Sequence, residues 1–513
     1  MSENQTDQVY TLRLVSHSIN STVMKNIKNV NIYSKADTID QFFQDNNSIE
    51  TVNFIQVKKL KDIQQFVDLI ETGRLNHIQE LNFSQSRLGD HDMSLLLKSL
   101  QTSCSNHIHI LNLSNNACSN ATSKQLGICI SKGCLKEIEE IILTRNLIFA
   151  GGIENICRSF MNYSCQRLQR LSLTHCHLGD RGVEILMNSL QASPFISIKV
   201  LELADNGITW IGVKYIYQTS LYGRLFHLAV LDLSNNPIME KGIQFLVKAL
   251  VGNRTLTQSY PDMLASSSGT GTQSLLSTFS GCPNLQSLLL HSCNLNSRSI
   301  YSFSSLFGYL LHLSILSLSN NNIGDRGVYF LFSSLAPSSI PLQVLDLNDT
   351  HLTSDAYNNL EDRGLCILIN SLKENHFQHL KTLYINKIKL TSKGSQIFYS
   401  FIREQTIYKN LNIYIGENKL SKQNISHLYN LLNNLNDNTQ SIPPCKVINC
   451  DKGIKIPLKE LVYINKPKIS TKPISHVVAQ PLQIANKPDV SFYSYLNTFS
   501  SEDLYAVHTP PAA

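Results

Sequence analysis

The chain has no Cys-x-x-Cys pair among its twelve cysteines, which lie singly along 513 residues. That usage excludes a dense disulfide framework and paired zinc ligands, and suits reduced thiols in the cytoplasm. No run of eighteen apolar residues occurs, so no spanning helix is expected. The opening Met-Ser-Glu-Asn-Gln lacks the apolar core of a leader, so none is expected there either. Charge is also sparse. Asp, Glu, Lys and Arg together make 16% of residues, with a net charge of +6 that is too dilute to point to nucleic acid or to a membrane surface. Neither a phosphate-binding G-x-x-x-x-G-K-[ST] loop, nor G-x-S-x-G, nor H-E-x-x-H is found. No cofactor is expected, and nucleotide-driven, serine-hydrolase and zinc-protease chemistry lose their usual motifs.

What the chain does have is a period. The pattern L-x-x-L-x-L-x-x-N-x-L starts at Ile78, Ile108, Ile138, Leu168, Ile198 and Leu228, thirty residues apart each time. It resumes at Leu285, Leu313, Leu342 and Leu380, with degenerate copies around Ile413 and around Val52 and Phe54. The L-x-L centre of each copy, such as Leu171-Ser-Leu173, alternates as a short strand does. The stretch after it has helical spacing: Val183, Leu186, Met187 and Leu190 fall on one face, and Asp180 stands where an N-cap belongs. The same sequence pattern returns at 323–335 and 360–372, each time with Asp-Arg-Gly, read here as helix starts. A strand and a helix that cannot each bury an apolar face alone must stack on their neighbours.

These repeats resemble the leucine-rich repeats of the ribonuclease-inhibitor type over about residues 76–435. The resemblance includes Asn at positions 116, 146, 206, 236 and 321, replaced by Cys176 and Cys293 in two copies, with Ser86 and Thr350 as departures. It implies an α/β fold: a curved solenoid, or horseshoe, with parallel strands on the concave side and helices outside. Residues 1–75 then form an N-terminal cap with degenerate first repeats. A loop at about 251–284 interrupts the array, as a decayed repeat or an insertion. Residues 436–513, with nine of the fifteen prolines, form a largely disordered, extended tail.

Such an array is expected to be a non-enzymatic scaffold that binds a protein partner on its concave face. The outward strand positions there carry Glu80, Glu139, Glu140, Glu202, Asp205, Asp232, Asp346 and Asp349 against Arg145, Arg170, Lys199, Lys381 and Lys387. That acidic balance counts against nucleic acid. Glu202, Asp205 and Asp232, placed on adjacent strands, would meet a basic partner; Arg145 is a further candidate. The alternative is an ordinary solvated strand face. In the tail, Phe492, Tyr495 and Phe499 would either cap the last repeat or bind a partner. His175-Cys176-His177 admits a metal reading, but a repeat bend with a buried ladder Cys is the reading preferred.

Two narrower resemblances stay open. Thr144-Arg-Asn146 and Asp205-Asn-Gly-Ile208 resemble segments of the Ran GTPase-activating proteins, which implies a small GTPase as partner, although these pieces lie two repeats apart. Residues 171–213 are similar to part of a centrosomal leucine-rich-repeat family, which implies a centrosomal or ciliary place and a cytoskeletal partner.

Overall fold

The computed structural model describes residues 29–33, 51–55, 60–102, 107–160, 164–193, 195–252, 281–338, 340–350, 363–374, 377–388, 392–404, 411–414 and 445–448. The chain divides into two units, 1–457 and 458–513, and every described residue lies in the first.

Fourteen strands form one open sheet in strict chain order. They are β1 (Asn29–Tyr33), β2 (Thr51–Ile55), β3 (Glu80–Asn82), β4 (Ile110–Asn112), β5 (Glu140–Ile142), β6 (Arg170–Ser172) and β7 (Val200–Glu202). Then follow β8 (Val230–Asp232), β9 (Ser287–Leu289), β10 (Ile315–Ser317), β11 (Val344–Asp346), β12 (Thr382–Tyr384), β13 (Leu411–Tyr414) and β14 (Cys445–Ile448). Each pair is parallel, as it must be where the connection carries the chain back along a helix. The register puts Ile141 beside Leu171, Leu171 beside Leu201 and Leu201 beside Leu231, so the middle residue of each three-residue strand joins one buried column.

The helices lie behind this column. They are α1 (Leu60–Glu71), α2 (Asp90–Thr102), α3 (Asn120–Ser131), α4 (Phe149–Phe160), α5 (Gly179–Ala192) and α6 (Trp210–Leu221). The array continues with α7 (Met239–Val251), α8 (Ser297–Ser304), α9 (Gly324–Leu335), α10 (Arg363–Lys373) and α11 (Ser392–Glu404). In α5 the buried set is Gly182, Val183, Leu186, Met187 and Leu190, the face that the spacing predicts. Its glycine has a purpose: a Cβ on Gly182 would lie 2.8 Å from that of Leu178. Among the described residues, no helix is long and apolar enough to cross a membrane.

Three features refine the sequence reading. First, β1 and β2 fall where degenerate first repeats are expected within 1–75, whereas β14 pairs in parallel with β13 although it falls in the segment read as tail. The prolines at 443 and 444 precede β14 rather than interrupt it, and an edge strand needs only one ladder. Second, β8 pairs directly with β9, Leu231 beside Leu288. No strand therefore stands between them, and residues 253–280 lie outside the described residues. Third, Asp180 does not cap its own helix: Leu178 is the N-cap of α5 and no side chain caps it.

The carboxylate of Asp180 instead reaches the next repeat. It accepts from the amides of Thr209 and Gly212, both at 2.8 Å, and from the Thr209 hydroxyl at 2.7 Å. Those amides open α6 and have no partner within it. Asp90 does the same for α3, accepting from the Ser119 and Thr122 amides and hydroxyls, and Asp325 accepts from the Gly364 amide at 2.9 Å. Burial raises the Asp90 carboxyl, but these bonds outweigh it and hold the group below its ordinary value. The recurrent aspartate is a brace between repeats.

Candidate functional site

After each of β3 to β12 the backbone turns at a residue with positive φ. Gln85, Asn115, Arg145, His175, Asp205, Asn235, Ser292, Asn320, Asp349 and Lys387 all lie between 53° and 60°. Six of these ten are Asn, Asp or His, the side chains that tolerate this region best, so conformation alone accounts for Asp205. It does not account for Arg145. Both are exposed. They stand in the bends that follow β5 and β7 rather than on strands, which corrects the placement of Asp205 on a strand beside Glu202 and Asp232. The chain has already left the ladder at Glu202.

The acidic candidates have partners of their own. Arg170 is 8% exposed. Its guanidinium lies 3.2 Å from Glu140 Oε2 and donates to both oxygens of Glu202, at 3.1 and 3.2 Å. Three neighbouring strands are thus tied by one cation between two carboxylates, with the Thr144 and Ser172 hydroxyls 2.7 Å apart beside it. His175 Nδ1 bonds Asp205 Oδ2 one repeat along. Asp232 is half-buried and accepts from the Ser234 amide at 3.0 Å. Burial pushes its carboxyl up to about 6, against the Ser234 hydrogen bonds, and the Glu202 charge adds to the rise. Phe492, Tyr495 and Phe499 lie outside the described residues.

Beside this row stand apolar groups that sequence reading did not single out. Leu147 and Phe149 are each 46% exposed. The Phe149 ring stacks on His177 at 5.4 Å, and His177 lies 5.1 Å from His175. Among the described residues no group of three His, Cys, Asp or Glu side chains could hold a metal ion.

Beneath the bends runs the feature that defines the repeat. Asn206 Oδ1 accepts from the amides of Cys176 at 3.0 Å and Leu178 at 3.2 Å, while its Nδ2 donates to the carbonyls of Leu173, Leu203 and Ala204. Asn236 repeats this one unit on, and Asn116, Asn146 and Asn321 make the same kind of bridge. At Cys176 the thiol donates to the Leu143 carbonyl at 3.2 Å; burial pushes it up to about 12, against the nearby amides of Asn146 and Arg145, so it stays protonated. The family described as "Leucine Rich repeat" matches residues 164–187 and 309–332. The chain carries leucine-rich repeats and is similar to the ribonuclease-inhibitor kind.

The chain is similar to several known proteins. Ribonuclease inhibitor from Sus scrofa is 26% identical over 57% of this chain and 67% of its own length. "NACHT, LRR and PYD domains-containing protein 14" from Homo sapiens is 26% identical over 67% of this chain, which spans only 34% of that protein. A solved internalin structure from Listeria monocytogenes aligns over 80% of this chain and 87% of its own at 13% identity, with a TM-score of 0.38. Leucine-rich-repeat proteins generally mediate protein–protein interaction.

The charged strip of this leucine-rich-repeat array was partly legible. Glu140 and Arg170 hold the same strand position thirty residues apart, which is the signal for opposite charges side by side. The burial of Arg170 had no such signal. The raised Asp232 carboxyl carries a pH prediction. An acid whose folded value is raised costs stability as pH rises from its unfolded value through the folded one, here from about 4 to about 6. Asp232→Asn keeps the acceptor for the Ser234 amide and removes the charge. It is expected to raise the melting temperature at pH 8 and to leave it unchanged at pH 4. Thermal melts at both values check this; equal curves at pH 8 refute it.

Proposed function

We propose that this leucine-rich-repeat protein is a non-enzymatic, cytoplasmic scaffold that binds a protein partner on the strand side of its array, around Arg145, Asp205 and the exposed Leu147 and Phe149. The observation that carries this reading is the combination at one place of two large exposed apolar side chains with a row of charged bend residues. An apolar centre with a polar rim is the usual make-up of a partner surface. Arg145 is its best charged candidate, because it is exposed and arginine is not a residue that the left-handed bend favours. Glu202 and Asp232 belong to its edge, one neutralised by Arg170 and the other half-buried. Fold alone does not settle a function, so the test is made on the residues.

The experiment is affinity capture with the full chain and with the variants Arg145→Glu, Asp205→Lys and the pair Leu147→Ser, Phe149→Ser. At least one protein held by the wild type is expected to be retained about tenfold less by Arg145→Glu and by the paired variant. Exposed substitutions of this kind leave stability within about 0.5 kcal/mol. Retention unchanged in all variants, but lost when Phe492, Tyr495 and Phe499 become Ala, would move the site to the tail. A small GTPase as partner predicts more than capture: the purified chain would accelerate its GTP hydrolysis, and Arg145→Glu would abolish that acceleration.

A further inference from the structure

Helix α3 ends in a turn that brings two cysteines together. Lys132 is its C-cap, and Gly133 follows with φ 76°. The Gly133 amide donates to the Ile130 carbonyl at 2.8 Å and the Cys134 amide to the Cys129 carbonyl at 3.2 Å. This pair of bonds packs the residue after the glycine onto the residue five positions earlier. The same turn closes α1 on Leu69 and Arg74, with the Gly73 amide bonded to Ile70 and the Arg74 amide to Leu69. The turn thus does not require cysteine at either place. In α3 both places hold cysteine, so the turn brings the two side chains to one point of the chain.

The two are not equivalent. Cys129 is fully buried, whereas Cys134 is 6% exposed and lies at the surface end of the turn. The hydrogen bond from Cys129 lowers the Cys134 thiol, against burial, and the Lys132 ammonium lowers it further. The same contact and burial raise Cys129. The helix C-terminus opposes a thiolate here, so the neighbouring donor and Lys132 must outweigh it. Elsewhere burial pushes Cys118, Cys157, Cys165, Cys176 and Cys293 up to about 12, which leaves them without a thiolate at neutral pH.

We infer that Cys129 and Cys134 are a modification site at which a hydroperoxide closes a reversible disulfide across the end of α3. The Cys134 thiolate attacks the peroxide, breaking the O–O bond; the sulfur gains a hydroxyl as sulfenic acid and hydroxide leaves, taking a proton to become water. The Cys129 sulfur then attacks the Cys134 sulfur, forming the S–S bond and expelling the sulfenic hydroxyl, which leaves as water with the Cys129 proton. Two thiols lose two electrons and the peroxide takes them. A dithiol reductant reverses the step by exchange and is itself oxidised to its disulfide. The backbone bond between Cys129 and Cys134 holds the chain ends close, as a disulfide geometry requires. Closure would tie α3 to the segment that delivers Glu140 to Arg170.

The test uses the full reduced chain at pH 7.4, treated with graded hydrogen peroxide and then with iodoacetamide. Trypsin cuts after Lys124, Lys132 and Lys136, so the two cysteines fall in separate peptides, 125–132 and 133–136, unless a disulfide joins them. The joined pair is expected to be the first oxidation product and to disappear on adding dithiothreitol. Cys134 should lose its free thiol about tenfold faster than buried Cys176. Half-buried Cys366 measures what accessibility alone gives. In Cys129→Ser, dimedone should trap a sulfenic acid on Cys134; in Cys134→Ser, Cys129 should stay reduced. Loss of the Cys366 thiol with no joined peptide in the wild type, or Cys134 no faster than Cys176, would overturn the proposal.

Discussion

Asn206→Ala is expected to lower the stability of the array by about 3 kcal/mol, in the range for buried donors that lose their acceptor. The side chain is 4% exposed and serves two repeats at once. Truncation leaves the amides of Cys176 and Leu178 without their acceptor, and removes the donor shared by Leu173, Leu203 and Ala204. Water cannot replace it beneath the bend without opening the stack. Because each repeat is stabilised mainly by its neighbours, the loss spreads to both sides of the site. Urea melts measure the total, and hydrogen exchange at Cys176 and Leu178 locates it. Asn206→Cys should recover part of the loss, since Cys176 and Cys293 fill this place with a single S–H donor to a carbonyl. A melt of Asn206→Ala that overlays the wild type would contradict the ladder as a source of stability.

Arg170→Met is expected to cost about 3 kcal/mol at pH 7.5, the effect of removing one partner from a largely buried ion pair. Methionine keeps most of the packing volume, so the loss reports the charge. Glu202, whose side chain is 12% exposed, is left beside Glu140 at 32% with no cation between them. Solvent screens Glu140, which keeps the cost at the lower end of the range for buried pairs. The double variant Arg170→Met, Glu202→Gln should be more stable than Arg170→Met alone, because it removes the stranded charge along with its partner. Denaturation of the single and double variants forms a cycle that isolates the pair. A single variant within about 0.5 kcal/mol of wild type would mean that water already shields this strip.

The periodicity alone specifies most of the architecture. Leu171, Leu201 and Leu231 repeat at thirty residues because each must fill the same buried column, and the Asn at 206 and 236 repeats because each bend needs the same acceptor and donors. What recurs in every copy leaves a mark in a single sequence. The substitutions Cys176 and Cys293 fit the same place because a buried thiol still donates to a carbonyl.

What differs from copy to copy was decided only by stacking. Asp180 reads as a cap for its own helix, since caps are local, yet its bonds run to Thr209 and Gly212 in the next repeat. Arg170 reads as an outward charge, yet it is enclosed by carboxylates thirty and thirty-two residues away. β8 and β9 are 57 positions apart along the chain, counted from Val230 to Ser287, and still lie side by side. β14 joins an edge that composition had assigned to a tail. In each case the deciding contact joins residues from different repeats. The sequence by itself determined the unit and its period, because local spacing sets which faces are apolar; the tertiary structure decided which charges are buried, because only neighbours in the stack can pair them or exclude water.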